Sequence, residues 1–268
     1  MSTKIPMIKF SNGVEFQLFG LGTWESFHST DALTFKPALE AALDAGYRHF
    51  DTAQVYGNEH IIGEFLDEKI TSGQIKRSDI FITTKLAPLF YHPGAAEQAI
   101  QKSLENLKTE YIDLFLIHMP FGFEVECHIL LPQNELFVFA KKLGITFTSY
   151  ATLGSPGRPN KDPNDPNPTE VPLVLELSKK YKKTPSQILL RQMIQRGIAV
   201  IPKSTNPDRL QQNINIFDFE LCEEDMAKFN EIKTKKWLFK SFWEMLKVTL
   251  NIRLMDIKIW QWYKRRID

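Results

Sequence analysis

Four side chains of this sequence could together reduce a carbonyl: Asp51, Tyr56, Lys85 and His118. Such a reduction needs a hydride donor, an acid for the developing alkoxide and a group that holds the carbonyl oxygen. Tyr56 is the residue suited to be the acid. A free phenol titrates near ~10, too high for efficient donation at neutrality, and a cationic Lys85 close by would favour the phenolate and lower that value. Asp51 would keep Lys85 charged and aimed, and His118 could donate to the carbonyl oxygen from the other side. Each residue also has a structural reading. Asp51 and Lys85 could form a strand-end ion pair, Tyr56 a core edge and His118 a satisfied core histidine. Four complementary polar groups at the same end of successive strands favour a shared use.

The elements that must position them are legible as alternating apolar runs. Asp51, Lys85 and His118 close the β-branched or aromatic runs 48–53, 80–85 and 113–118, and functional groups collect at the carboxyl ends of strands in parallel α/β folds. A hairpin is expected over 7–19, turning at Ser11-Asn12-Gly13 and plugging a barrel floor. Strands follow at 18–23, 48–53, 80–84 and 112–117, with helices at 31–45, 61–69 and 95–107. After His118 the alternation breaks, and only six residues precede Val125-Glu126-Cys127-His128. A helix at 133–143, a strand at 145–149, helices at 171–181 and 185–196, a strand at 199–202 and a helix beginning at 208–213 complete the pattern. The segment Ser155 to Thr169 carries five prolines. It reads as a loop of lid length, either a lid or a linker.

The chain has 268 residues, 43% hydrophobic and 24% charged, the makeup of a globular protein with a sizeable core. A net charge of +1 gives no reason to expect a nucleic-acid partner. Residues 233–268 hold ten Lys/Arg against three Asp/Glu, leaving residues 1–232 at −6. That segment also carries four of the five tryptophans, with Leu238, Phe242, Met245, Leu246 and Thr249 on one helical stripe. It reads as a membrane-surface helix, as a cover for an open barrel edge, or as an unselected extension from altered splicing or gene prediction. Two cysteines, Cys127 and Cys222, make no disulfide framework and no metal pair. With no apolar leader and no long apolar run, the expected location is cytoplasmic.

For a hydride donor there is no strand-GxGxxG-helix unit; Gly20-Leu21-Gly22-Thr23 is only G-x-G. Phosphate binding is expected instead at Lys203-Ser204-Thr205, with Arg209, Gln212 and Asn213 on one face of the next helix. These supply two cations and hydroxyls beside a helix N-terminus.

The stretches Gly20-Leu21-Gly22-Thr23-Trp24, Asp51 to Glu59, Thr83-Thr84-Lys85-Leu86, Leu116-Ile117-His118-Met119-Pro120 and Ile201-Pro202-Lys203-Ser204 resemble the aldo-keto reductases. The likeness covers 5–124 and 125 to about 232. It implies an eight-stranded (β/α)8 TIM-type barrel in which Asp51, Tyr56, Lys85 and His118 are the catalytic tetrad and NADP(H) is the cofactor. Lys203 and Arg209 match the site for the 2′-phosphate, favouring NADP over NAD. Tyr150 matches the tyrosine that stacks on the nicotinamide, and Leu153 and Ser155 match contacts to the pyrophosphate. Thr23 and Asp51 also belong to the implied cofactor site, and Trp24, His118 and Met119 line the implied pocket for a small carbonyl substrate. Met119 stands where the family usually has Trp, and Glu124 where it usually has Gln.

A full barrel takes ~250 residues in eight units, and this chain shows six strands and a remnant. About two units are therefore expected to be missing at 124/125: the fourth helix, fifth strand, fifth helix and most of the sixth strand. Strand number, tilt and stagger are linked, so incomplete closure is expected, with edges prone to oligomerise or aggregate. The expected domain is 1–232, followed by the tail 233–268. The competing expectation is a silent, shortened form with residual cofactor binding, or a scaffold or membrane-peripheral role.

Overall fold

A computed structural model describes residues 5–10, 12–24, 32–87, 90, 95–117, 124–142, 145–158 and 161–239. The chain opens with the expected hairpin, β1 (Met7–Lys9) antiparallel to β2 (Glu15–Gln17). Its reversal needs Gly13 at φ 88°, a left-handed conformation open to glycine. Asn12 Oδ1 accepts from Val14 N at 3.1 Å and braces the turn. The ring of Phe16 stacks on Phe10 and meets His49 and Phe81, so the hairpin caps the amino ends of the next strands. This is the floor position expected for it.

The β/α alternation then holds: β3 (Leu21–Gly22), α1 (Ala32–Asp44), β4 (His49–Asp51), α2 (Glu59–Thr71), β5 (Phe81–Leu86), α3 (Ala95–Leu107) and β6 (Leu114–Ile117). β3 to β6 pair in chain order, each parallel to the last. Helix α2 packs closely on the end of α3. A Cβ at Gly63 would sit 2.2 Å from the carbonyl oxygen of Asn106, so only glycine permits that approach.

The second block runs β7 (Glu124–Glu126), α4 (Asn134–Lys142), β8 (Thr148–Tyr150), α5 (Pro172–Tyr181), α6 (Pro185–Gln195), β9 (Ala199–Val200), α7 (Pro207–Ile214) and α8 (Glu223–Lys228). α6 begins with a capping box between Thr184 and Gln187 and a proline in its first turn. β7, β8 and β9 are parallel neighbours. A parallel bridge from Phe19 to Val200 joins β9 to the first block, with Gly20 N donating to Val200 O and Val200 N to Leu18 O. Seven parallel strands thus follow one another as β7-β8-β9-β3-β4-β5-β6. Among the described residues β6 and β7 each pair on one side only.

Several expectations are revised. The supposed remnant of a sixth strand is a paired strand, β7, because Glu124, Val125 and Glu126 register with Thr148, Ser149 and Tyr150. The expected strand 18–23 divides its pairing, Phe19 toward Val200 and Leu21–Gly22 toward β4. The strand expected at 145–149 lies at Thr148–Tyr150, which brings Tyr150 into the sheet. Helix α8 was not expected: its six residues carry too little apolar periodicity to announce it.

The main core joins the inner faces of the strands to α1, α2 and α6, with Phe19, Tyr47, Phe50, Ile62, Ile82, Leu190 and Val200 fully buried. Tyr47 donates its hydroxyl to Leu210 O at 3.1 Å and ties the start of the sheet to α7. A satellite core forms between the 129–130 turn, α5 and α6, including Leu130, Val174, Leu177 and Ile188.

Candidate active site

β4 and β5 are adjacent and parallel, with Asp51 opposite Thr83, so Asp51 and Lys85 emerge at the same end of the sheet. Lys85 Nζ donates to Asp51 Oδ1 at 2.8 Å and to the main-chain oxygen of Thr52 at 2.9 Å. Both side chains are 3% exposed. Removing two charges from water is tolerated only when they are paired and further hydrogen-bonded, and the second bond to Thr52 supplies part of that compensation. Asp51 Oδ2 is buried and has no hydrogen-bond partner among the described residues. It is an acceptor open to a donor brought by a ligand.

Tyr56 sits on a 3-10 turn, Gln54–Tyr56, between β4 and α2. The turn ends at Gly57 in the left-handed region, φ 66°. It carries Tyr56 back over the carboxyl end of the sheet, where Lys85 Nζ lies over the phenol ring, 5.1 Å from its centroid. The ring is buried. Three of the four expected catalytic residues therefore meet at one point. His118, and with it Met119, lies outside the described residues.

Around this point the loop ends are fixed by buried polar bonds. Thr23 Oγ1 donates to Asp51 O at 2.9 Å. Glu59, at the start of α2, accepts from Thr84 Oγ1 at 2.7 Å and from Asn106 Nδ2 at 3.2 Å. The buried His49 ring contacts Thr83 Oγ1 at 3.0 Å, and burial lowers its pKa to about 4 against the pull of Asp51. Burial likewise pushes the Cys127 thiol up to about 11, which keeps it out of nucleophilic chemistry.

The expected cofactor residues fall into two groups at this end of the sheet. At the end of β9, Lys203, Thr205 and Arg209 are exposed and Ser204 is half-buried. Asn206 caps α7 by accepting from Arg209 N at 2.9 Å. Gln212 is exposed, whereas Asn213 is buried, so the expected common face of Arg209, Gln212 and Asn213 runs from solvent into the core. At the end of β8 stand Tyr150 and Leu153, both half-buried, and Ser155, at φ 42°.

The loop after Ser155 is anchored at several of its described residues. Arg158 is buried, donates to Gly154 O at 2.9 Å and pairs with Asp165. A short 3-10 turn at Pro168–Glu170 closes the segment. Lys236 reaches the same Asp165 at 2.6 Å, Lys236 N donates to Leu130 O, and Leu238 N donates to Glu126 Oε1 at 2.6 Å. Residues 236–239 thereby run across the ends of β7 and β8. The Phe239 ring meets Trp24 and Tyr150 edge-on, with centroids 5.8 and 5.7 Å apart. Residues 236–239 therefore pack against the ends of β7 and β8; residues 240–268, most of the tail on which its readings turn, lie outside the described residues.

Thr52, Asn58 and Phe239 are site neighbours that the sequence alone did not single out. Adjacency to Asp51 and Tyr56 was the available signal for the first two. Nothing local marked Phe239. Among the described residues no group of acidic, His and Cys side chains could hold a metal ion.

A sequence model of the Aldo/keto reductase family matches residues 19–123 and 122–234. Aldo-keto reductase family 1 member A1 of Gallus gallus is 34% identical over 305 residues, covering 89% of this chain and 92% of that protein. The Homo sapiens protein of the same name is 34% identical over 293 residues, covering 85% and 89%. That of Danio rerio, member A1-A, is 34% identical over 285 residues, covering 82% and 87%. These alignments are longer than the 268-residue chain, so each relative carries residues for which this chain has no partner.

Proposed function

The chain belongs to the aldo/keto reductase family, an oxidoreductase family acting on small carbonyl compounds, and we propose that it reduces aldehydes or ketones to alcohols with NADPH. The observation that carries this reading is the buried Asp51–Lys85 pair held against the Tyr56 ring. Tyr56 is the proton donor. Lys85, kept charged by Asp51 and oriented by Thr52 O, stabilises the phenolate that donation leaves behind. His118 holds the carbonyl oxygen.

Lys203, Ser204, Thr205 and Arg209 would hold the adenosine 2′-phosphate. Their hydroxyls and exposed cations beside the start of α7 suit a dianion. Tyr150, Leu153 and Ser155 would hold the nicotinamide and pyrophosphate, and Gln212 and Asn213 the adenine end. Thr23 and Asp51, whose Oδ2 is unpaired, face the same end of the sheet. The cofactor, when bound, supplies the hydride. Trp24, with Phe239 against it, walls the carbonyl pocket. We place this chemistry in residues 1–232, with 233–268 as an appended segment, and expect it in the cytoplasm.

We attribute the unmatched relative residues to a loss at about 124/125, where the two family matches meet. The single-sided pairing of β6 and β7 supports that placement. It also favours a second reading, a shortened reductase that binds cofactor without turnover. The test is NADPH fluorescence titration together with NADPH-dependent reduction of an aromatic aldehyde, for the wild type and Tyr56→Phe. Binding with turnover that Tyr56→Phe abolishes supports the reductase; binding without turnover supports the silent form.

A further inference from the structure

We infer that Asn58, through its buried bond to Thr52, is a positioning residue that sets Tyr56 against Lys85. This rests on the reductase reading and deepens it. Thr52 is fully buried and has three links: its N donates to Thr83 O, its carbonyl oxygen accepts from Lys85 Nζ, and its hydroxyl donates to Asn58 Oδ1 at 2.8 Å. Asn58 Nδ2 then donates to Thr23 O at 2.9 Å, at the end of β3.

The five residues between Thr52 and Asn58 include the whole turn that carries Tyr56. Their ends are therefore closed by one side-chain bond and pinned to a neighbouring strand by another. Asn58 does not cap α2 with its side chain. A Ser, Thr, Asp or Asn before a helix ordinarily uses its oxygen for that. Here the amide is turned instead toward Thr52 and Thr23, both buried. The same Thr52 that holds the lysine thus holds the tyrosine-bearing turn, so one residue fixes both partners.

The test uses the full chain and the near-isosteric Thr52→Val, which keeps the carbonyl bond to Lys85 and removes the hydroxyl. Turnover should fall roughly 10- to 100-fold with KM little changed, the scale of a misplaced catalytic group. Thr52→Ser, which keeps the hydroxyl, should recover most of it. A readout independent of turnover is the titration of Tyr56 in protein labelled at the tyrosine Cζ, its signal assigned by its absence in Tyr56→Phe. The Tyr56 midpoint should rise in Thr52→Val and return in Thr52→Ser. If Thr52→Val does not fold, Asn58→Ser is read the same way. Unchanged turnover and an unmoved Tyr56 midpoint would overturn the inference, whatever the effect on melting temperature. A wild type without turnover would count against the reductase reading alone, since the titration still tests the clasp.

Discussion

β5 and β6 are neighbours in the same parallel sheet, yet they live in different surroundings. All six residues of β5 are buried. Its far end carries Lys85 into a site where the ends of β3, β4 and β5 are bonded to one another. β6 buries only Leu116 fully and leaves Ile117 57% exposed. The difference lies in what flanks each strand. β5 has β4 on one side and β6 on the other, whereas β6 has no second partner among the described residues. A strand gains its burial from its neighbours and from the helices laid over it. Asp51, Tyr56 and Lys85 thus sit on the fully flanked part of the sheet, and the single-sided β6 stands beside them.

The sharpest way to break that comparison is at the site. Tyr56→Phe should reduce turnover by roughly 10²- to 10⁴-fold, the range for losing a general acid, with NADPH affinity and melting temperature nearly unchanged. A variant retaining more than about a tenth of wild-type turnover (tenfold being ~1.4 kcal/mol) would remove Tyr56 from its role. Next come the two strands themselves. Ile82→Ala, in the core on β5 at 1% exposed, should lower stability by about 2–5 kcal/mol. Ile117→Lys on β6 should change it by less than about 0.5 kcal/mol and lower the tendency to associate. Urea unfolding and light scattering measure both, and equal destabilisation would mean that β6 is flanked after all.

The third test concerns pH. His49 is buried beside β5 and its pKa is lowered to about 4, below the ordinary 6.5, chiefly by burial. Because the folded value is the lower one, the unfolded chain binds the proton more readily. The stability this confers is complete above pH 6.5 and is lost as pH falls from 6.5 to 4, by about 3 kcal/mol in all. His49→Gln should flatten that part of the stability profile. The last test is at the residues proposed to hold the 2′-phosphate: Arg209→Ala should weaken NADPH by about 1–3 kcal/mol and leave NADH nearly untouched. Equal weakening of both would place Arg209 elsewhere.

Much of this was legible in the sequence because it is local. Asn12-Gly13 announces its hairpin, the apolar periods announce the alternation, and Asp51, Tyr56 and Lys85 meet because each closes a strand or follows one. The parts that were not legible depend on distance along the chain. Glu126 receives Leu238 N across 112 positions, and Asp165 receives Lys236; no period or spacing encodes either. Thr52 and Asn58 lie inside the Asp51 to Glu59 stretch, but nothing in that stretch gives them a role of their own. Their value appears only when the strand ends are brought together.

The joint between Phe19 and Val200 has a consequence for how the molecule assembles. The two blocks are stitched through residues some 180 positions apart, while β3 to β6 pair in sequence order. Closing so long a span forfeits more chain entropy than any neighbouring strand pair, and such distant pairings slow folding. On a ribosome the first block can form its strand pairs early, but Phe19 must wait for β9 to be made. Until then the flank of β3 is open, and a companion that shields nascent edges would have its greatest effect in that interval.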